Sequence, residues 1–315
     1  MISIFLGAGF SVLGGVPLAS QLFDRQPNVD VISRQRLIER VLQGWNKWHA
    51  LTGQTPEQYL SVLESNGGQQ WHDATWYVAL VIALRMGRVE LVGMSPKITR
   101  HNINRTSGVT AHEQFWTTIF SCTEDVSVIT TNYDVLIERG LRHKPRPRVP
   151  RPGFHYGCGP EQLEGGGYPS YAHIQRIRVE GRIPLLKLHG SVSWSIKGDR
   201  IIRYHDCRPA IRGDAAIIAP ITEKSVPKIF QPVWDCAAST LTNSDNWIIV
   251  GYSFPPYDLA VSELFRSSAT RGVRVHVLNP DPAVADRVRA LLPNAIVEWY
   301  RGLPDALTEL PKILI

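Results

Sequence analysis

An amide and a carboxylate, Asn132 and Asp134, follow a β-branched apolar run at Val126–Thr130, and a histidine, His189, follows a second apolar run at Ile183–Leu188. Imidazole titrates near neutrality and suits a general base, while an amide can position a hydroxyl or a water without taking its proton. Positioning and a base suffice for expelling a good leaving group, and no metal is required. Each residue also has an ordinary role open to it. Asn and Asp are favoured helix caps, Val135–Leu141 reads as helix, and a solitary histidine is ordinarily structural. Two further strand-like runs end in polar residues, one at Gly251-Tyr252-Ser253 with Asp258 beyond, the other at Asn279-Pro280-Asp281. That recurrence argues for one shared crevice.

A parallel α/β sheet is the scaffold that brings such groups together, because its crevice lies outside the carboxyl ends of the strands. Ile2–Leu6, Val126–Thr130 and Ile183–Leu188 read as strands buried on both faces. In the carboxyl third, Ala216–Ala219, Trp247–Val250, Val273–Leu278 and Ala295–Trp299 read as strands. They alternate with helices expected near Val226–Leu241, Leu259–Ala269 and Pro282–Leu292. The expected fold is α/β, a Rossmann-like doubly wound parallel sheet. From Gly7 to Pro17 the chain reads G-A-G-F-S-V-L-G-G-V-P, a glycine-rich entry to a helix of the kind that brings backbone amides to a pyrophosphate. The pattern G-x-G-x-x-G would need glycine where Val12 stands, so a plain tight turn fits as well. Asn279 and Asp281 offer an amide and a carboxylate suited to a ribose or an adenine.

From about Val31 to Phe120 the pattern turns helical. Thr55-Pro56-Glu57-Gln58 and Thr110 with Glu113 read as capping boxes. Trp76–Met86 is apolar nearly all round, as in a helix packed inside a bundle. The expected organisation is a single domain, 1–315, whose sheet-forming parts 1–30 and 121–315 carry a helical insertion at about 31–120. Trp45, Trp48, Trp71, Trp76 and Trp116 are expected to serve packing rather than base stacking. Arg142–Pro152 carries five Lys and Arg among prolines, an extended segment that fits either a solvated linker or, through Arg142 to Arg151, contacts to nucleic-acid phosphates. Gly153–Gly167 continues it irregularly.

A 43% hydrophobic content and a net charge of +6 over 315 residues are ordinary for a globular chain, and the charge is too mild to demonstrate a nucleic-acid partner. The first apolar run ends at Leu6 with no basic leader, which argues against a signal peptide or a membrane span. Cys122, Cys158, Cys207 and Cys236 are scattered without a C-x-x-C, so neither a zinc ribbon nor a disulfide framework is expected, and a cytoplasmic setting fits.

G-A-G-F-S with Gly15 and Pro17, T-T-N-Y-D at Thr130–Asp134, K-L-H-G-S at Lys187–Ser191, G-Y-S at Gly251–Ser253 and L-N-P-D at Leu278–Asp281 together resemble the sirtuin superfamily. The resemblance is closest to the bacterial sirtuin-like proteins of antiphage defence. It implies NAD as substrate. Gly7, Ala8, Gly9, Phe10 and Ser11 would line the phosphates, Gly251 and Ser253 the adenosine side, and Asn279 the adenosine ribose. Asn132 and Asp134 would face the nicotinamide end, with Asn132 catalytic and His189 the base. Sirtuin deacylases differ in carrying two zinc-binding cysteine pairs, a glutamine where Thr131 stands, and commonly isoleucine or valine where Tyr133 stands. The last two departures are those of the defence-type branch, whose members resemble NAD glycohydrolases. The implied activity is cleavage of NAD to nicotinamide and ADP-ribose, switched on by homo-oligomerisation or by a separately encoded defence partner. An NAD-dependent protein deacylase or ADP-ribosyltransferase, and a non-catalytic NAD-binding or nucleic-acid-associated subunit, are the alternatives.

Overall fold

A computed structural model describes residues 1–12, 14–24, 32–85, 88–92, 95–99, 107–123, 125–138, 154–156, 162–163, 183–204, 206–222 and 225–314. The basic segment Arg142–Pro152 and the end of the helix expected at Val135–Leu141 lie outside them, as does most of Gly153–Gly167.

The chain opens with strand β1 (Ile2–Leu6), the short helix α1 (Ala8–Val12) and three longer helices, α2 (Ile32–Thr52), α3 (Pro56–Asn66) and α4 (Gly68–Arg85). A hairpin of β2 (Arg88–Val92) and β3 (Ser95–Thr99) and helix α5 (Ser107–Cys122) lead to β4 (Val126–Thr130). The two-residue strands β5 (Phe154–His155) and β6 (Gln162–Leu163) precede β7 (Ile183–Lys187), β8 (Gly190–Lys197) and β9 (Arg200–Arg203). Helix α6 (Arg208–Arg212), β10 (Ala215–Ile217), α7 (Gln231–Thr242), β11 (Asn246–Val250), α8 (Leu259–Ser268), β12 (Arg274–Leu278), α9 (Ala283–Leu291), β13 (Ile296–Tyr300) and α10 (Leu303–Ile313) complete it.

Among the described residues, seven strands form the main sheet in the order β13-β12-β11-β1-β4-β7-β5, parallel throughout. Every residue of β1 and β4 is buried, which is why both read as unbroken apolar runs rather than alternating ones. The register aligns the strand ends. Leu6 stands opposite both Thr130 and Val250, Thr130 opposite Lys187, and Val250 opposite Leu278. Five strands therefore end level, and the residues after them emerge along one edge. Because β4 and β7 lie on one side of β1 while β11 and β12 lie on the other, that edge contains the switch point at which ligands of such folds bind.

A second, four-stranded sheet, β10-β8-β9-β6, branches from the first. Gly190 makes the branch: its φ is +78°, and a Cβ there would stand 2.1 Å from the Ala216 carbonyl oxygen, so glycine alone fits the reversal from β7 into β8. This corrects the sequence reading of Ala216–Ala219. Its extended part, Ala215–Ile217, pairs antiparallel with β8 and does not join the main sheet. Strand propensity fixes an extended backbone but not its partner.

Helices α2, α3, α4 and α6 share a core of their own that includes Ile38, Trp45, Leu60 and Ile211. Residues Tyr77 through Ala83 of α4 are buried without a break, as its all-round apolar pattern requires. The Thr55 box caps α3 as expected, with Gln58 Oε1 accepting the Thr55 amide at 2.9 Å. The second box is corrected: α5 begins at Ser107, so Thr110 lies inside the helix, where earlier residues already supply the first turn. Phe115, Trp116 and Ile119 of α5 belong to the main core. Trp45 stacks on Phe23, and Trp48, Trp71 and Trp76 pack against the helical core, so these indoles serve packing. Among the described residues, no helix is long and apolar enough to cross a membrane.

Candidate functional site

The level strand ends open into a cavity of about 760 Å³. Ala8, Gly9, Phe10 and Ser11 line it from the β1 turn, Asn132 and Asp134 from the end of β4, and His189 from the end of β7. Gly251 and Ser253 reach it after β11, and Asn279 after β12. Gly7 and Asp281, both singled out in the sequence, are not in its wall, though Gly7 holds the wall together.

Gly7 and Gly9 are glycines because two turns press against each other. A Cβ on Gly7 would lie 2.5 Å from Tyr252 Cα, one on Gly9 2.9 Å from Gly251 Cα, and one on Gly251 2.4 Å from the Phe10 nitrogen. The Gly7 amide donates to the Val250 carbonyl at 2.9 Å and the Gly9 amide to that of Gly251 at 2.8 Å. The Phe10 ring is buried and stacks on His112 of α5.

At the end of β4, the roles of Asn132 and Asp134 separate. Asp134 Oδ1 accepts the Leu136 amide at 2.9 Å, a helix cap. Its Oδ2 accepts the Ser11 hydroxyl at 2.6 Å, so the same carboxylate also fixes the β1 turn. Asn132 caps nothing: its Nδ2 donates to the Gly7 carbonyl and to Ser11 Oγ, both at 2.8 Å. Lys187, fully buried, donates to the Asp134 carbonyl and to Glu138 Oε1 at 3.2 Å. One network thus ties the ends of β1, β4 and β7.

His189 is 2% exposed and sits between the rings of Tyr133 and Trp234, 6.1 and 6.2 Å away. Its Nε2 is 3.9 Å from Oδ1 of Asp258, itself 2% exposed, whose Oδ2 accepts the Tyr252 hydroxyl at 2.9 Å. Next to this pair, the Tyr257 hydroxyl donates to Glu57 Oε1 at 3.0 Å. Burial, and then the negative charges of Asp258 and Glu57, push the phenols of Tyr133 and Tyr257 well up. Burial and the Asp258 charge do the same to Tyr252. All three remain protonated donors. Sequence reasoning assigned no role to Glu57, which α3 carries into the cavity wall, or to Arg301, which lines it after β13. Glu57 was masked by its place in a capping box, and Arg301 lies outside every motif.

At the far end, the Asn279 amide donates to the Tyr252 carbonyl at 3.3 Å and its Oδ1 accepts the Asp281 amide at 3.0 Å. Arg287 bridges the two turns, donating to the Ser253 carbonyl at 2.9 Å and to Asp281 Oδ2 at 3.1 Å. Phe254 has a φ of +49°, a left-handed backbone uncommon for an aromatic residue, and its ring is held between Tyr252 and Phe265. Among the described residues, no group of three or more His, Cys, Asp or Glu could hold a metal ion.

The structure of a Sir2 homologue–NAD complex is 17% identical to this chain, over 99% of this chain and 88% of that one, with a TM-score of 0.49. A structure solved for the mechanism and regulation of Sir2 enzymes is 15% identical, over 99% and 90%, with a TM-score of 0.43. No curated protein matches. The family model of the SIR2-like domain matches residues 126–287, more than half of the chain. That span holds the Thr130–Asp134, Lys187–Ser191, Gly251–Ser253 and Leu278–Asp281 motifs, all at the cavity edge, and the chain belongs to the SIR2-like family of the sirtuin superfamily.

Proposed function

We propose that the chain is an NAD glycohydrolase, cleaving NAD to nicotinamide and ADP-ribose. What carries this reading is the convergence of Asn132 and His189 on one cavity whose walls also hold the Gly9, Gly251 and Asn279 turns. A volume of about 760 Å³ suits a ligand of dinucleotide size. In the reaction the bond between ribose C1′ and the pyridinium nitrogen breaks, and its electron pair neutralises the ring. The leaving group therefore needs no acid. Water adds to C1′, and its proton passes to His189 and then to solvent. Asn132, with Nδ2 committed to the β1 turn, offers its Oδ1 to the ribose or the attacking water. Ala8, Gly9 and Ser11 face the phosphates with the backbone of Phe10. Gly251 and Ser253 face the adenosine and Asn279 its ribose, while Asp134 faces the nicotinamide end and fixes the β1 turn through Ser11.

In this reading residues 1–30 and 121–315 form the NAD-binding part, with 31–120 inserted as a module that is largely helical but, unlike the all-helical pattern read from the sequence, also carries the β2–β3 hairpin. The cellular role is NAD depletion in antiphage defence, restrained until the chain assembles with itself or with a separately encoded partner.

Chromatography of NAD incubated with the protein tests the activity, with and without an acyl-lysine peptide. Equal amounts of nicotinamide and ADP-ribose without peptide are expected. Release that depends on the peptide would instead identify a deacylase.

A further inference from the structure

Asp258 opens helix α8, the usual place for a capping aspartate, yet its side chain makes no cap bond. The carboxylate turns inward. A carboxylate buried to this degree is costly unless it meets hydrogen-bond donors and a positive charge. The Tyr252 hydroxyl supplies a donor to Oδ2, and His189 Nε2 lies 3.9 Å from Oδ1. That separation is longer than a hydrogen bond, as catalytic contacts often are before substrate tightens them.

We propose that Asp258 is a positioning residue for His189: held by Tyr252, it orients the imidazole, fixes the tautomer with hydrogen on Nε2, and stabilises the imidazolium formed when the ring takes a proton. The ring's other nitrogen is then the basic one. The same logic orients the imidazole of hydrolytic triads, although here the histidine would serve a water and no nucleophilic side chain is invoked.

Among the described residues, the other groups around His189 are engaged elsewhere. From the β4 end, Tyr133 gives its hydroxyl to the Ile218 carbonyl at 2.7 Å. From α3, Glu57 accepts Tyr257. Lys187, two residues before the histidine, is spent on Glu138 and the Asp134 carbonyl. Trp234 of α7 donates its indole to the Leu188 carbonyl at 2.9 Å. Among the described residues, Asp258 is the carboxylate that the turn after β11 brings to the ring, its Oδ1 3.9 Å from Nε2.

The pairing itself stands on geometry, and its catalytic consequence rests on the hydrolase reading, so the experiment separates the two. The His189 ring resonance is titrated by NMR in the intact protein, assigned by its loss in His189→Gln, and compared with Asp258→Asn. Asp258→Asn should lower the pH at which His189 titrates by about one unit or more. An unchanged value in a folded Asp258→Asn overturns the proposal. If that variant does not fold, Asp258→Ser is titrated in its place, with the same two outcomes.

Kinetics give the second readout. Neutral His189 is the base, so the rate rises with pH through its pKa, and Asp258→Asn should move that rise to lower pH. It should also cut kcat for nicotinamide release by about tenfold to hundredfold, comparable with outer partners that orient metal-ligating histidines, with KM within about threefold. A higher KM at unchanged kcat overturns the positioning role. A native protein that releases no nicotinamide, whether concentrated enough to self-associate or supplied with a partner, refutes the hydrolase reading, and the titration still decides the pairing.

Discussion

Lys187 shows how a single residue in a candidate site can be structural first. Its ammonium is fully buried and bridges the Asp134 carbonyl to the Glu138 carboxylate. Removing one partner of a buried ion pair strands the other charge, typically at a cost of about 3–5 kcal/mol. Lys187→Met should therefore lose that much in urea unfolding, and adding Glu138→Leu should restore most of it. A single-variant loss under about 1 kcal/mol would contradict the network. At this scale the sequence was readable where chemistry was local. Asn132, Asp134 and His189 announce themselves as polar groups after apolar runs, but the division between them does not: Asp134 is the cap and Asn132 is not, because Gly7 and Ser11, more than a hundred positions away, claim the amide. Asp258 was visible beside Gly251–Ser253 without a role, since its partner His189 comes from another strand end.

Among the elements, the turns after β1 and β11 act as one unit. Gly251 has a φ of +63°, and a Cβ there would lie 2.4 Å from the Phe10 nitrogen and 2.6 Å from the Gly9 carbonyl carbon. Both obstacles are backbone. Gly251→Ala should cost more than about 1 kcal/mol and displace the Gly7–Ser11 turn, lowering turnover as well as melting temperature. Unchanged stability would mean that the two turns do not meet so closely. Helix α5 braces the same turn from behind, where His112 Nε2 lies 2.6 Å from the Phe10 carbonyl. Burial holds the His112 pKa below its ordinary value, against the opposing pull of that carbonyl and of Asp134. The unfolded chain then binds the proton more readily, so stability should fall as pH drops below about 6.5 and level off below the native pKa. His112→Gln should flatten melting temperature across that window, and a variant with the native pH slope would assign it elsewhere, His276 being similarly lowered by burial. Strands β1 and β4 were legible because burial on both faces leaves a run of apolar residues. β10 was not assignable to a sheet, because its partner is chosen by the Gly190 reversal rather than by its own residues.

At the level of the whole molecule, the doubly wound sheet was legible from the alternation of strands and helices in the carboxyl third, and the branching second sheet was not, because the reversal that sets it off depends on how Gly190 packs against Ala216. The α3 side chain Glu57 in the cavity wall makes the helical module part of the site, which sequence separation hides. An NAD-consuming enzyme needs restraint, and specific activity should rise with protein concentration in step with self-association by light scattering, or on adding a partner. Full turnover by a demonstrable monomer would sink that expectation. The central claim, that level strand ends place Asn132 and His189 at one reacting centre, is tested most directly by nicotinamide release and melting temperature measured on the same samples of His189→Ala, Asn132→Ala and the double variant. Each single variant should stay folded and lose about 10² to 10⁴ in rate. Asn132→Ala should also lose about 1–2 kcal/mol for its bonds to Gly7 and Ser11, and the double should be hardly slower than the worse single. A destabilised but fully active Asn132→Ala, or a His189→Ala that releases nicotinamide at the native rate, would contradict it.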